Sequence, residues 1–255
     1  MKKFELTSES IVKFGRTLYR IRALMAFRDV EEGELGGFLE KEENLSQDGD
    51  AWVCENAIVR GDATVSENAI VRGDATVSGN AIVRGNAIVS GNAIVRGDAW
   101  VCENATVSGD ATVCGNAIVR GDATVSGDAT VCENATVSGD AWVRGNATVS
   151  GNATVSGNAI VRGDATVSGD AWVFKTSHYL VIGPMGSRNG FTTFFRTKKL
   201  FIGVSCGCFR GNVDEFVEKV KETHGDNKYA KAYFAAAELA KMQIDLTPEE
   251  NEEGD

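Results

Sequence analysis

The chain contains only two histidines, His178 and His224, and neither lies in its long repetitive middle segment, residues 50–173. It also lacks an apolar run long enough to span a membrane, and its first residues, Met1 to Leu6, lack the apolar core of a secretion signal. A segment without histidine has no ordinary general base at neutral pH. These absences disfavour a membrane protein and a histidine-dependent enzyme built on the middle segment, and they predict a cytoplasmic location.

Residues 50–173 repeat one six-residue unit, Asp/Asn-Ala-x-Val-x-Gly/Glu, 21 times without insertion or deletion. The second residue is always Ala and the fourth is always Val, whereas the third is Thr, Ile or Trp. Successive side chains of a strand point to opposite faces, so the Ala and Val side chains share the packed interior. Gly, Asn and Asp at the junctions accept the positive φ of a sharp corner. Each copy therefore predicts a short strand followed by a corner.

Such a strand cannot bury its own Ala-Val face, so the copies must stack as parallel coils about 4.8 Å apart. Three copies in each coil give a triangular prism of about 7 coils, roughly 34 Å long, whose open ends need caps. We therefore expect a mainly β chain built around a parallel β-helix. The expected segments are an N-terminal β cap (1–49), the repeat β-helix (50–173), a small C-terminal α+β module (174–246) and an acidic disordered tail (247–255).

The two flanking segments show ordinary strand and helix signals. Strands are expected over Phe4–Leu6 and Ile11–Leu24, with Gly15 as a turn, and then over His178–Ile182, Phe191–Arg196 and Leu200–Cys206. Asn212 with Glu215 forms a capping box for a helix that ends at Gly225. A second helix is predicted from Lys228 to Gln243, and the residues expected to face the core are Tyr229, Tyr233, Leu239 and Met242.

The Asn-Ala-x-Val-x-Gly arrays resemble the hexapeptide repeat of left-handed parallel β-helices, and especially the bacterial and phage-encoded polymer-forming proteins. The glycine lies one place later than in the commonest acyltransferase form of that repeat. The flanks extend the likeness. Leu18–Leu24, Gly33–Leu39 and Asn44–Ser46 resemble the capping segment of such arrays. Cys206–Phe209, Asp214–Phe216, His224–Asp226 and Tyr229–Lys241 resemble a small C-terminal module of phage and prophage proteins. The resemblance implies a left-handed coil and a phage or prophage origin, and it implies no activity for the module.

Charge and cysteine content narrow the environment and the partners. The net charge is −10, and the repeat contributes 14 acidic residues against 7 arginines. This surface disfavours nucleic acid and anionic membranes as direct partners, and it favours basic partners or simple solubility. In a cytoplasm the six cysteines are expected to be reduced thiols. Cys114 and Cys132 lie one coil apart, so a disulfide between them is geometrically conceivable but not expected.

Few residues of the sequence suggest catalysis or metal binding. Hexapeptide prisms are best known as acyltransferases, but the enzymes of that kind need a catalytic histidine and usually a loop that leaves the prism, and this repeat has neither. Cys206, Cys208 and His224 could supply three ligands to a metal or a Cys/His nucleophile pair. The spacing is not that of a zinc knuckle and a fourth ligand is missing, so structural roles are expected instead. We expect no catalytic residue, no metal and no cofactor.

The outward positions carry the remaining information. Trp52 and Trp172 fall at the prism ends, where the end segments could cover them, whereas Trp100 and Trp142 fall in the middle and should face outward. Trp100 stacks between Ile82 and Ile118, beside Arg84 and Arg120. Apolar residues with arginine are typical of protein interfaces, although Trp and Ile also simply suit strands, so both interpretations stay open. A Thr column from Thr112 to Thr166 resembles the ladders of ice-binding helices, but its second row is Ser or Cys.

These observations predict a non-enzymatic binding or scaffold protein. In the favoured version, a phage- or prophage-encoded protein binds or sequesters a host macromolecule in the host cytoplasm, as an inhibitor of host defence would. The expected partner is a protein or a second copy of the chain, with Trp100, Ile82, Ile118, Arg84, Arg120 and Trp142 as the binding residues. The alternatives are a structural component of a virion or filament, and an atypical acyltransferase.

Overall fold

The computed structural model describes residues 2–248. The chain begins with an antiparallel hairpin of β1 (Phe4–Lys13) and β2 (Arg16–Ala23), followed by β3 (Leu35–Leu39) and a short 3-10 turn at Glu42–Asn44. The hairpin turn is Phe14-Gly15, and both residues have positive φ, at 55° and 70°. Two residues of positive φ suit a tight hairpin because their twist matches that of the paired strands. The Gly15 turn is thus confirmed; β1 extends from the expected Phe4–Leu6 as far as Lys13, whereas β2 covers only residues 16–23 of the expected Ile11–Leu24.

Every copy of the repeat then forms a strand of two residues. In chain order, β4 to β24 are Trp52–Val53, Ile58–Val59, Thr64–Val65, Ile70–Val71, Thr76–Val77, Ile82–Val83, Ile88–Val89, Ile94–Val95, Trp100–Val101, Thr106–Val107, Thr112–Val113, Ile118–Val119, Thr124–Val125, Thr130–Val131, Thr136–Val137, Trp142–Val143, Thr148–Val149, Thr154–Val155, Ile160–Val161, Thr166–Val167 and Trp172–Val173. Each strand pairs in parallel with the strand 18 residues further on, so the copies sort into three sheets. The predicted parallel β-solenoid is confirmed.

We number the three sheets by their first strand. Face 1 runs from β4 to β22, face 2 from β5 to β23, and face 3 from β6 to β24, each taking every third strand. The backbone hydrogen bonds between adjacent strands of a face vary little from coil to coil; for example, the Trp100 amide donates to the Ala117 carbonyl at 2.9 Å. Inside, every Ala and Val of the repeat is at most 1 % exposed. Burying a Val side chain contributes about 1.5–3 kcal/mol, so the interior rows supply the driving force for the coil.

The corners explain why the sixth position is glycine or glutamate. A Cβ on Gly79 would lie 2.8 Å from the amide nitrogen of Gly97 in the next coil, and Gly79 has φ of 75°. Four glutamates nevertheless adopt positive φ there: Glu55, Glu67, Glu103 and Glu133. The carboxylates of Glu55, Glu103 and Glu133 accept the amide of the glycine one coil further on at 2.7, 2.8 and 2.6 Å. This bond offsets part of the backbone cost of a side chain in the left-handed region.

The first position of each copy links neighbouring coils along the same corner. The Asn116 side-chain amide donates to Asn134 at 3.0 Å, and Asn134 donates to Asn152 at 3.2 Å. Where an aspartate follows, it accepts instead, as Asp98 does from Asn80 at 2.7 Å. Each asparagine can both donate and accept, so the ladder continues through runs of Asn and ends at Asp.

The N-terminal segment extends the solenoid as well as covering it. Strand β3 pairs in parallel with β5, and Leu45 forms a parallel bridge with Val65. The solenoid therefore has about eight turns, because one incomplete turn without the repeat signature precedes the seven that the repeat predicts. Trp52 is buried beneath Phe4 and Phe27, whose ring centroids lie 6.5 and 5.4 Å from its own. The expectation that Trp52 is covered is confirmed.

The C-terminal module is an antiparallel sheet with two helices. Its strands are β25 (Tyr179–Met185), β26 (Gly190–Arg196), β27 (Ile202–Cys206) and β28 (Phe209–Asn212), preceded by a 3-10 turn at Thr176–His178. Helix α1 (Val213–His224) has the predicted capping box of Asn212 and Glu215, and α2 (Lys228–Gln243) has the predicted bounds. Strand β28 was not predicted, and Leu200 lies outside β27, in the preceding turn with φ of 60°.

The predicted inner face of α2 is partly wrong. Leu239 and Met242 are exposed, and Tyr229 and Tyr233 are only half-buried. The buried residues are the alanines Ala230, Ala236, Ala237 and Ala240. Small side chains let the helix backbone approach its neighbours closely, and the long residues then point away.

The module contacts the end of the solenoid through its sheet. The Thr166 amide donates to the Thr193 hydroxyl at 2.8 Å, and the Ser168 and Ser205 hydroxyls are 2.9 Å apart in a buried contact. Phe195 of β26 joins the solenoid's own apolar core. Trp172 is half-buried, with Phe174 at 5.5 Å and the Lys198 ammonium at 4.4 Å from its ring. The last coil is therefore covered by polar and apolar contacts together.

Cys114 and Cys132 are joined as a disulfide, which corrects the expectation of six reduced thiols; their Cα atoms are 4.6 Å apart because β14 and β17 are paired strands. The other four cysteines are free.

The expected disordered tail, 247–255, lies mostly outside the described residues, which end at 248. Within residues 2–248, no helix is long and apolar enough to cross a membrane.

Candidate functional site

Trp100 is the most accessible large apolar side chain on face 3, at 41 % exposed. Strand β12 holds it between Ile82 and Ile118, its register partners on the two adjacent strands. Both isoleucines are half-buried, so the three side chains form a continuous apolar strip across three coils. The Arg84 guanidinium lies 5.5 Å from the centroid of the Trp100 ring, within range of a cation–π contact. We call Ile82, Arg84, Trp100, Ile118 and Arg120 the Trp100 patch.

The fifth-position column of face 3 completes this patch. Arg84 and Arg120 are exposed and flank Cys102, which is only 7 % exposed. Burial raises the pKa of the Cys102 thiol and Glu103 raises it further, while Arg84 and Arg120 act in the opposite direction. Cys102 is therefore a neutral, covered thiol at neutral pH. Arg84 also lies 3.8 Å from Glu67, so its charge is partly compensated, whereas Arg120 forms no ion pair within residues 2–248.

Trp142 does not belong to the same surface. It lies on face 1, in β19, between Thr124 and Ile160, and it is 45 % exposed. Arg144 lies 5.5 Å from its ring centroid. The outward orientation of both mid-solenoid tryptophans is confirmed. The structure brings together the five residues of the Trp100 patch and places Trp142 on a different side of the solenoid.

A feature that the sequence did not predict is a cavity of about 480 Å³ in the C-terminal module. It lies between the β25–β26 hairpin, the β27–β28 turn and helices α1 and α2. Cys206, Cys208 and His224 all line it, together with four aromatic residues: Phe191, Phe209, Phe216 and Tyr233. The sequence drew attention to the two cysteines and the histidine as possible ligands. Within residues 2–248, no group of three His, Cys, Asp or Glu side chains could hold a metal ion.

The contacts around the cavity are aromatic and sulfur contacts. His224 stacks on Tyr233 with ring centroids 5.8 Å apart and an interplanar angle of 27°. The Thr192 hydroxyl donates to the Cys206 sulfur at 3.1 Å. Burial raises the pKa of Tyr233 and the neighbouring Cys206 raises it further, while Arg188 acts in the opposite direction. Tyr233 is therefore a neutral hydrogen-bonding group at the cavity wall.

Comparison with known proteins adds one short match. Residues 147–163 match the protein family described as YdcK Beta solenoid repeat, and these residues span nearly one coil of the solenoid. No curated protein matches the chain. The matched segment contains strands β20, β21 and β22, one from each of the three sheets, which follow the same pattern as the rest of the array. The chain is thus a parallel β-solenoid repeat protein with a segment similar to the YdcK repeat.

Proposed function

We propose that the chain is a non-enzymatic binding protein whose solenoid presents the Trp100 patch to a protein partner. The observation that carries this proposal is the exposed Trp100 ring in the middle of a regular array, with Arg84 against it and isoleucines on both sides. Trp and Arg are the residues that most often dominate binding energy at protein interfaces. An exposed apolar strip of this kind is best explained by a partner that covers it.

The charge around the patch indicates the kind of partner. Asp98 and Glu103 begin and end the copy that contains Trp100, Glu67 lies 3.8 Å from Arg84, and the whole repeat carries twice as many acidic residues as arginines. A fitting partner surface is apolar at its centre and basic at its rim. A second copy of the chain is a poorer fit, because two acidic solenoids repel each other.

The regularity of the solenoid supports a binding role over catalysis. The described strands recur every six residues with no loop leaving the coil, and residues 50–173 contain no histidine. A rigid face without a pocket suits recognition of another surface. The resemblance of both flanks to phage and prophage proteins supports a finer version, in which the partner is a host protein that the chain sequesters in the host cytoplasm.

The alternative of an open-ended filament is less well supported. Stacking of solenoids end to end requires free coil ends, whereas the hairpin covers Trp52 at one end and the module's sheet contacts the last coil at the other. Covered ends favour a discrete particle.

The test compares capture of host proteins by wild type, by Trp100→Glu and by a matched control, Thr136→Glu, two coils away on the same face. We expect one dominant captured protein with wild type and with Thr136→Glu, and loss of that protein with Trp100→Glu. Circular dichroism should show the same thermal unfolding for all three proteins. Equal capture by Trp100→Glu would contradict the proposal, and open-ended mass in light scattering would favour the filament.

A further inference from the structure

The cavity in the C-terminal module is an independent site with its own chemistry. Its volume of about 480 Å³ lies within the range of small-molecule pockets, roughly 300–1,000 Å³. The cavity is lined on one side by the end of the β25–β26 hairpin and on another by the C-terminal part of helix α1.

The wall of the cavity suits a flat, apolar body. Phe191 is 40 % exposed, which places an accessible aromatic ring beside the opening. Phe216 and Tyr233 form an edge-to-face pair with centroids 5.6 Å apart, and His224 extends Tyr233 as a stacked platform. Aromatic faces and edges of this kind accept planar ligands by stacking and edge-to-face contact.

The charge of the cavity is opposite to that of the whole chain. Arg188, Lys219 and His224 line it, and none of the lining residues that the structure describes is Asp or Glu, although the chain carries a net charge of −10. Lys219 is paired with Glu222 at 3.0 Å, so its charge is partly compensated. Arg188 is exposed at the hairpin turn and forms no ion pair within residues 2–248. A guanidinium free of carboxylates is a ready partner for an anionic group.

The backbone leaves the cavity open where a side chain could have filled it. Gly190 lines the cavity, its φ lies outside the left-handed region, and a Cβ built there would meet nothing within 4 Å. Gly186, by contrast, is required for packing, since its Cβ would collide with the Tyr233 hydroxyl. The open space at Gly190 thus has no packing requirement behind it.

The geometry points to a binding site in this cavity for a small molecule that joins an anionic group to a flat aromatic body, with Arg188 holding the anion and the ring platform of Tyr233 and His224 holding the body. This site is separate from the Trp100 patch and goes beyond the proposed protein-binding function. The chemical class includes aryl carboxylates, aryl sulfonates and phosphate esters of aromatic compounds.

The test uses two fluorescent probes with the same rings and the full-length chain. Anilinonaphthalene sulfonate carries the anionic group, and phenylnaphthylamine lacks it. We expect each chain to bind one molecule of the anionic probe. Arg188→Gln should lower the affinity for the anionic probe about tenfold and leave the affinity for the neutral probe unchanged. Lys231→Gln, an exposed charge change on α2, is the matched control and should leave both affinities unchanged.

Gly190→Leu should fill the cavity and remove binding of both probes, while thermal unfolding shows that the variant is folded. Binding of the anionic probe to Gly190→Leu at wild-type affinity would overturn the location. Unchanged affinity in Arg188→Gln would overturn the ligand class, and this surface variant does not depend on the folding of the filled cavity. Trp100→Glu should bind the probe as wild type does, so this test and that of the Trp100 patch can fail separately.

Discussion

Replacing Glu133 at its corner separates two opposing contributions to the stability of the solenoid. Glu133 has φ of 65°, and its carboxylate accepts the Gly151 amide at 2.6 Å. Alanine keeps the left-handed backbone with a Cβ but loses this bond. Because the site is exposed, the lost bond contributes about 1 kcal/mol. Glu133→Ala should therefore be less stable than wild type by about that amount.

Glycine at the same position should behave differently. It loses the same bond, but it removes the cost of a Cβ in the left-handed region, roughly 1–2 kcal/mol. The greater freedom of glycine in the unfolded chain takes back about 0.5–1 kcal/mol. Glu133→Gly should therefore be close to wild type in stability, and about 1 kcal/mol more stable than Glu133→Ala.

Hydrogen–deuterium exchange of amides in residues 128–156 measures this difference locally. A loss of about 1 kcal/mol in the opening free energy corresponds to roughly fivefold faster exchange in Glu133→Ala. The equivalent alanine substitutions at Glu55 and Glu103 lie on other corners, so their effects should add. The reasoning is refuted if Glu133→Gly exchanges faster than Glu133→Ala, since the left-handed cost would then not operate at this corner.

Three other predictions concern the core, the disulfide and the N-terminal cap. Val113→Ala should lower the free energy of unfolding by about 2 kcal/mol in denaturant titrations, whereas Val12→Ala, at a 74 % exposed residue, should change it by less than about 0.5 kcal/mol. Cys114→Ser should lower the free energy of unfolding by about 3 kcal/mol in oxidising buffer, because the disulfide to Cys132 closes an 18-residue loop. In reducing buffer the same substitution should leave the free energy of unfolding unchanged. Equal stability of the wild type in both buffers would contradict this prediction. Burial lowers the pKa of Lys3 from 10.5 to about 8 in the folded protein. Between pH 8 and pH 10.5 the unfolded chain therefore binds more protons at Lys3 than the folded protein does, and the free energy of unfolding should rise with pH across this range. Lys3→Met should lose that part of the rise, and identical pH profiles would argue against a buried ammonium.

The repeat predicted most of the solenoid because its period leaves little freedom. Constant Ala and Val fix the inner face, and a period of six places Ile82, Trp100 and Ile118 in one column, as the structure has them. The extra turn at Leu45 was not predicted because its segment buries apolar side chains as the repeat does but lacks the six-residue repeat in its sequence. The expectation of reduced thiols came from the presumed compartment, whereas the paired strands of Cys114 and Cys132 bring the sulfurs together regardless of it.

The C-terminal module was harder to predict because its contacts are long-range. Helix periodicity identified α2, but large apolar residues were assumed to face inward, and the alanines around Ala237 form the contact instead. The cavity joins a hairpin turn at Arg188, a helix end at His224 and a second helix at Tyr233. No local pattern relates these three positions. A signal was present in the aromatic and basic residues clustered in the module, but it could not give their arrangement.

Because the copies sort into three sheets, the number of six-residue copies sets both the length of the solenoid and the rotation of one end relative to the other. A whole coil of 18 residues lengthens the solenoid by about 4.8 Å and returns the chain to the same face. One added copy of six residues lengthens it by only a third of that and turns the C-terminal module by a third of a revolution around the axis. The Trp100 patch keeps its position relative to the N-terminal cap in both cases. Changes in copy number beyond the patch would therefore reorient the cavity relative to a bound partner without altering either surface.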